Sequence, residues 1–366
     1  MPAPVPSTAD MAPAPAAGGR GLPLYNESEA QLYYHYALAS FCKEAVIQGW
    51  DCGGNCRRAE IVPGTARYLA PSGAYNVQGY VAVLPEDGPQ DSSRRRCVVG
   101  FRGSQPMNLG NILADYFIFV GPWPGDGAGW CPGCLVHEGF AGAYADIRPS
   151  LLASLRELNC TSVALTGHSL GAALATLASM ELRAGLNVSV EAVWTYGKPR
   201  VGDVTFVNAY IQAARRQDID PPLWRVVHYH DLVPRMNLYS LPWHPRHEPL
   251  EVYYTTEDSS VYRLCPPTPQ QLENPDCMLA TPMWEWSFSD HMKYLRLPFH
   301  LPEVCGFRKD LGGECTLAIM TVALTLAMSF LCRRCLCRRR RGRSKSAKAR
   351  GPRSAAGASD APLLAP

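Results

Sequence analysis

Residues Thr161–Thr176 read TSVALTGHSLGAALAT. An apolar, β-leaning run (Val163, Ala164, Leu165) meets Gly167-His168-Ser169-Leu170-Gly171 and passes directly into an Ala/Leu-rich, helix-forming segment. A strand that becomes a helix across five residues needs a sharp turn, and this is the setting of a nucleophile elbow. The two glycines permit that turn, and they leave Ser169 expected to stand exposed in a strained conformation that a bulkier neighbour would block. A plain turn serine is the competing reading, since G-x-S-x-G alone is only moderately specific. The change of period around it favours the nucleophile.

The surrounding pattern fits an α/β architecture. Strand-like runs occur at Gly79–Leu84, Arg96–Phe101, Ser162–Thr166, Val190–Tyr196, Trp224–His228 and Leu250–Tyr254. Helical runs at Gly139–Leu158, Ala172–Arg183 and Asp203–Arg216 intervene, and an amphipathic helix is expected after Asn26, with Leu32, Tyr33, Tyr36, Ala37 and Phe41 at helical spacing. Strands alternating with helices predict a mostly parallel central sheet flanked by helices.

Both ends differ from this middle. Residues 1–23 are Pro/Ala-rich, hold no signal-type apolar run and are expected to be disordered. A catalytic domain over 24–308 and a short linker over 309–314 precede Cys315–Cys332 (CTLAIMTVALTLAMSFLC), which carries no charge. As a helix it would be about 27 Å long, just under the roughly 30 Å hydrocarbon thickness. Arg333 and Arg334 can snorkel across the difference. A buried C-terminal helix would show a polar stripe, which this run lacks, so residues 315–332 are read as a transmembrane helix in a bilayer. Residues 333–366 hold nine Arg, two Lys and one Asp, a net of +10. The whole chain carries +3, so residues 1–332 carry −7. Positive charge behind the span predicts a cytosolic tail and a lumenal or extracellular domain. A mildly acidic domain gives no patch for nucleic acid. Cys332, Cys335 and Cys337 lie where S-palmitoylation occurs.

Fourteen cysteines are many for a reduced cytosolic protein. Cys52 with Cys56, Cys131 with Cys134, and Cys265 with Cys277 pair by proximity, and none has the partner ligands of a zinc site. Disulfides are therefore expected, with neither metal nor cofactor. The sequons at Asn26, Asn159 and Asn187 agree with an oxidising, glycosylating compartment.

A serine alcohol needs a histidine to take its proton, and the histidine needs an acid to fix its tautomer. In hydrolases with this elbow the chain order is Ser, acid, His. Asp203, Asp218, Asp220, Asp231, Glu257, Asp258 and Asp290 follow Ser169. Asp231 is preferred, because it closes the strand Trp224–His228 at its carboxyl end, where open α/β sheets place their sites. Among His228, His230, His244, His247, His291 and His300, chain order favours His291, with His247 next. His168 is expected to support the turn. For an oxyanion hole the backbone N–H of Leu170 is one donor, and Ser104, after the strand Arg96–Phe101, is a candidate for the other.

These residues together resemble the class 3, fungal-type lipases. The resemblance rests on Phe101-Arg102-Gly103-Ser104, Val136-His137-Glu138-Gly139-Phe140, Gly167–Gly171, Gly197-Lys198-Pro199-Arg200-Val201-Gly202, Asp231-Leu232-Val233-Pro234-Arg235 and Asp290-His291. It implies an α/β-hydrolase-like fold, a triad of Ser169, Asp231 and His291, and an oxyanion hole of Ser104 and Leu170. It also implies disulfides Cys42–Cys305, Cys52–Cys56 and Cys265–Cys277. Asn111-Ile112-Leu113-Ala114-Asp115, followed by Tyr116, resembles the family's lid helix. The implied activity is hydrolysis of acylglycerol esters. Phospholipase A1-type and feruloyl-type esterases, and a catalytically silent lipid- or protein-binding module, are the alternatives. The sequence leaves the oligomeric state open.

Overall fold

In the computed structural model, the described residues are 23–73, 75–85, 95–103, 120–124, 129–236, 244–268, 271–299 and 305. All lie within one compact unit, Met1–Phe307. The segments 309–314, 315–332 and 333–366 lie outside the described residues, as does 1–22. Among the described residues no helix is long and apolar enough to cross a membrane.

Twelve strands are described: β1 (Arg67–Leu69), β2 (Gly79–Val83), β3 (Arg96–Phe101), β4 (Val120–Pro122), β5 (Leu135–His137), β6 (Ser162–His168), β7 (Ser189–Tyr196), β8 (Trp224–His228), β9 (Glu251–Tyr254), β10 (Tyr262–Cys265), β11 (Lys293–Tyr294) and β12 (Leu297–Pro298). Eight form the central sheet in the order β1-β2-β3-β6-β7-β8-β9-β10. The five strands β3, β6, β7, β8 and β9 run parallel, while β1, β2 and β10 add antiparallel pairings at the two sides. The parallel block is the expected sheet, and its carboxyl ends carry Ser169 and Asp231.

Strand alternation assigns side chains to two cores. On one face Cys97, Val99 and Phe101 of β3 join Val163 and Leu165 of β6 beneath the helices Glu138–Glu157, Leu170–Met180 and Val204–Arg215. On the other, Val98, Ala164, Trp194, Tyr196 and Val226 pack against the helix Glu27–Ala39. Asn26 starts that helix by accepting the N–H groups of Ser28 and Glu29 at 3.0 and 3.2 Å, satisfying donors that the first turn leaves open.

This helix is not amphipathic as its spacing suggested. Every residue from Tyr33 to Ala39 is buried. Cys42, Ile47, Cys52, Cys56, Ala59 and Ile61 cover the side that would otherwise face water. A helix packed on both sides loses the single apolar stripe from which its period was read.

Five disulfides staple the unit: Cys42–Cys305, Cys52–Cys56, Cys97–Cys160, Cys131–Cys134 and Cys265–Cys277. Cys97–Cys160 was not foreseen. Its partners are 63 residues apart in sequence and meet because β3 and β6 are parallel neighbours, with Cys97 beside Val163. These bonds use ten of the fourteen cysteines. The other four, Cys315, Cys332, Cys335 and Cys337, lie outside the described residues.

Candidate active site

Ser169 sits between β6 and the helix Leu170–Met180 with φ 56° and ψ −126°, a conformation that L-residues adopt only where the surroundings impose it. Its N–H donates to Tyr196 O at 2.9 Å, and its carbonyl accepts from Ala172 N at 3.0 Å. The glycines around it are there for clearance. A Cβ on Gly167 would lie 2.3 Å from the Gly171 carbonyl, and one on Gly171 would lie 2.1 Å from Phe101 O. The elbow is therefore pressed against the end of β3, and any side chain at either position would push them apart. Contrary to expectation Ser169 is not exposed: it is 4% accessible. Leu170 opens the helix, so its N–H has no intrahelical acceptor and stays available to a ligand.

Asp231 follows β8 and caps the short helix Leu232–Arg235. Its Oδ1 accepts the Val233 N–H at 2.8 Å, and its Oδ2 accepts from His291 Nδ1 at 2.8 Å and from the Tyr294 hydroxyl at 2.5 Å. Burial alone would raise this carboxyl. The His291 ring beside it, then the hydrogen bonds from His291, Tyr294 and Val233, outweigh burial and hold it below the usual carboxylate range. An ionised carboxylate only accepts, so Nδ1 of His291 carries its hydrogen and Nε2 presents a lone pair. That Nε2 is buried and has no hydrogen-bond partner among the described residues.

Two further contacts hold the imidazole. Gly197, at φ 58° just past β7, leaves space for the pair: a Cβ there would lie 2.7 Å from His291 Cε1 and 2.9 Å from Asp231 Oδ2. His168 bonds through Nε2 to the His291 carbonyl at 2.9 Å, and the two ring centroids are 4.4 Å apart. Burial first, then the His291 charge, push His168 down to about 3, so it stays neutral and its Nε2–H is the donor. The residue before Ser169 thus packs directly on the residue that Asp231 orients.

Ser104 and the lid candidates Asn111, Ile112, Leu113, Asp115 and Tyr116 lie outside the described residues. The strand end leading to Ser104 is firmly held. Arg102 bonds Gln78 Oε1 at 2.7 Å and the Asn76 carbonyl at 2.6 Å, and a Cβ on Gly103 would lie 3.3 Å from Ser169 Cβ.

Among the other candidates, Asp203, His228 and His247 are engaged elsewhere. Asp203 caps the helix Val204–Arg215, and Asp218 and Asp220 are exposed. His228 has both ring nitrogens against backbone carbonyls, those of Asp290 and Glu257. His247 lies in a buried ionic layer where Lys198 pairs with Glu248, Arg200 with Glu273 and Arg225 with Glu251. Burial, then the charges of Arg225, Arg200 and Lys198, drive His247 well below its ordinary value. Its Nε2 is bonded to Pro234 O. Among the described residues Glu251, Cys265 and Cys277 cluster at metal-like spacing, but both thiols are spent in a disulfide and Glu251 already serves Arg225 and the Met278 N–H.

Tyr294, the space at Gly197 and the ionic layer were not foreseen. Gly197, Lys198 and Arg200 stood in a quoted motif without a role, and Tyr294 carried no signal at all.

Residues 98–240 match the family profile of lipase (class 3). The match covers less than half of the chain, and over that stretch the chain is similar to the class 3 lipases. The chain is 31% identical over 222 residues to a Penicillium cyclopium protein named secreted mono- and diacylglycerol lipase A, covering 58% of this chain. It is 27% identical over 278 residues to the lipase of Rhizomucor miehei, covering 72% of this chain and 68% of that one. The chain spans 65% of the length of the Penicillium relative. A solved lipase structure from Yarrowia lipolytica superposes with a TM-score of 0.59 at 21% identity, over 76% of this chain and 97% of that chain. That likeness is one of fold.

Proposed function

We propose that this chain is a serine ester hydrolase acting on acylglycerols, with Ser169 as nucleophile, His291 as general base and acid, and Asp231 orienting it. The observation that carries the reading is the bond from His291 Nδ1 to Asp231 Oδ2 at 2.8 Å, which leaves a buried Nε2 lone pair without a partner beside the strained Ser169 elbow. In this reading Nε2 takes the Ser169 hydroxyl proton as the oxygen attacks the ester carbonyl. The tetrahedral oxyanion is met by the Leu170 N–H and by Ser104. His291 then returns the proton to the leaving alcohol, and water releases the acyl group by the same steps in reverse order. The relative named a mono- and diacylglycerol lipase supports an acylglycerol as the ester.

The domain is proposed to work on the lumenal or extracellular side, tethered by residues 315–332 with residues 333–366 in the cytosol. Five disulfides support an oxidising compartment. The uncharged 18-residue run followed by an Arg-rich tail supports the tether and its direction.

The decisive test is labelling with a fluorophosphonate probe, followed by hydrolysis of tri-, di- and monoacylglycerol, phosphatidylcholine and methyl ferulate. The wild-type chain is expected to label and to release fatty acid from acylglycerols, and Ser169→Ala to do neither. A wild-type chain that resists the probe would support a silent binding module instead.

A further inference from the structure

The segment that delivers His291 also carries the most exposed aromatic side chain among the described residues. Met283 and Trp284, in the short helical turn Met283–Glu285, are 71% and 86% accessible, and Phe288 is 39% accessible. Single exposed apolar residues are ordinary, as Leu24 and Leu186 are here. Three within six residues, beside one reactive pair, are not scattered.

The backbone beneath them is fixed at both ends. At one end the Thr281 hydroxyl accepts from Arg235 Nη2 at 3.1 Å and contacts the Tyr253 hydroxyl at 3.2 Å. Trp286 turns its indole N–H back to Thr281 O at 3.1 Å. At the other end Ser287 N donates to His230 O at 2.8 Å, and Ser287 O accepts from Leu232 N at 3.3 Å, so the segment is bridged to Asp231 itself. Glu285, the charge between the apolar residues, lies 3.4 Å from His230 Nε2. The turn is therefore a pinned projection rather than a loose loop, with its apolar side chains pointing into solvent next to the residue that orients His291.

We infer that Met283 and Trp284 dip into the lipid surface from which the substrate is drawn and seat the mouth of the site against it. The inference rests on the proposed acylglycerol activity, which places the substrate in a lipid phase. A tryptophan suits that boundary, because its ring partitions into the upper acyl region while its N–H meets headgroups or water. The rigid mount makes such docking orient the site, since seating Trp284 fixes the direction that Asp231 and His291 face.

The test uses the full chain reconstituted in phosphatidylcholine liposomes containing diacylglycerol, so that any tether is held constant. In a Ser169→Ala background, emission is compared with and without Trp284→Phe, which removes one of eight tryptophans. The emission lost with Trp284 is expected to be blue-shifted and quenched by brominated phosphatidylcholine. With Ser169 intact, Met283→Ser/Trp284→Ser is expected to raise the apparent KM for bilayer diacylglycerol by about tenfold, the order expected from losing part of two buried apolar side chains. The kcat/KM for p-nitrophenyl butyrate in solution should stay within about twofold, because that ester needs no surface. Unquenched Trp284 emission with an unchanged KM would overturn the inference. So would a chain that is dimeric in detergent and becomes monomeric with the serine pair, since the patch would then join two copies. Quenched Trp284 in a chain that cleaves no acylglycerol would leave the surface contact standing and defeat the proposed activity instead.

Discussion

Tyr294→Phe isolates one interaction at the centre of the site. The Tyr294 hydroxyl donates to Asp231 Oδ2 at 2.5 Å, and both residues are fully buried. Burial, and then the Asp231 charge, push the Tyr294 phenol well above its ordinary range, so it remains a donor at any working pH. Phenylalanine keeps the ring among Tyr34, Tyr196 and His168. What disappears is one hydrogen bond to a buried charge, about 1.5–3 kcal/mol. Oδ2 retains the bond from His291 and Oδ1 the bond from Val233, which keeps the loss in that range. A domain of this size loses roughly 2 °C of Tm per kcal/mol, so a fall of about 3–6 °C is expected.

The sign with pH follows from Asp231. Its folded pKa is depressed, so the stability it contributes is fully present above the unfolded value of about 3.9 and is lost as pH falls through the folded value. Tyr294→Phe lessens that depression. The gap between wild type and variant should be widest near neutrality and close in acid. Near neutrality kcat should fall by less than about tenfold, because the His291 tautomer is still held by Asp231. Calorimetry from pH 3 to 8 with a soluble-ester rate profile reads both quantities. An unchanged Tm across that pH range would show that the hydroxyl does not serve Asp231. A rate loss as deep as that of Ser169→Ala would show that it acts on the reacting atoms directly.

Gly197→Ala should reduce kcat at least about a hundredfold with only a modest loss of Tm, because the added methyl displaces the His291 ring; wild-type kcat would refute the space argument. Lys198→Met strands the buried Glu248 carboxylate and should cost about 3–5 kcal/mol, whereas Lys198→Met/Glu248→Leu should recover most of that in denaturant titration. Cys97→Ser should lower stability by up to about 4 kcal/mol, as expected for opening a 63-residue closure, and peptide mapping without reductant should recover Cys97 bonded to Cys160. Deleting residues 315–332 from the full chain should move it from the carbonate-resistant membrane fraction to the soluble fraction while fluorophosphonate labelling persists; retention in the membrane would refute the tether.

The parallel α/β architecture was legible locally. Val163–Leu165 turning into Ala172–Thr176 across Gly167–Gly171 declares a strand, a turn and a helix within sixteen residues, and period and glycine placement are local properties. The place of Asp231 at the end of β8 was legible because it follows an apolar run, and four of the disulfides were legible because their cysteines are near in sequence or stood in the resemblance's pattern. Cys97–Cys160 was not, since it depends on which strands become neighbours. Tyr294 was not, because two short strands and a turn bring it under Asp231 Oδ2, and nothing in Lys293–Leu295 signals a carboxylate. The helix Glu27–Ala39 shows the same limit from the other direction: its own residues set the helix, while the segment from Cys42 to Ile61 decided that it would be buried on both sides. Local backbone preference and hydrophobic period are written residue by residue. The partners of a buried charge, the space beside His291 and the depth of Ser169 depend on how distant segments share one volume, which close packing decides only when the whole chain is in place.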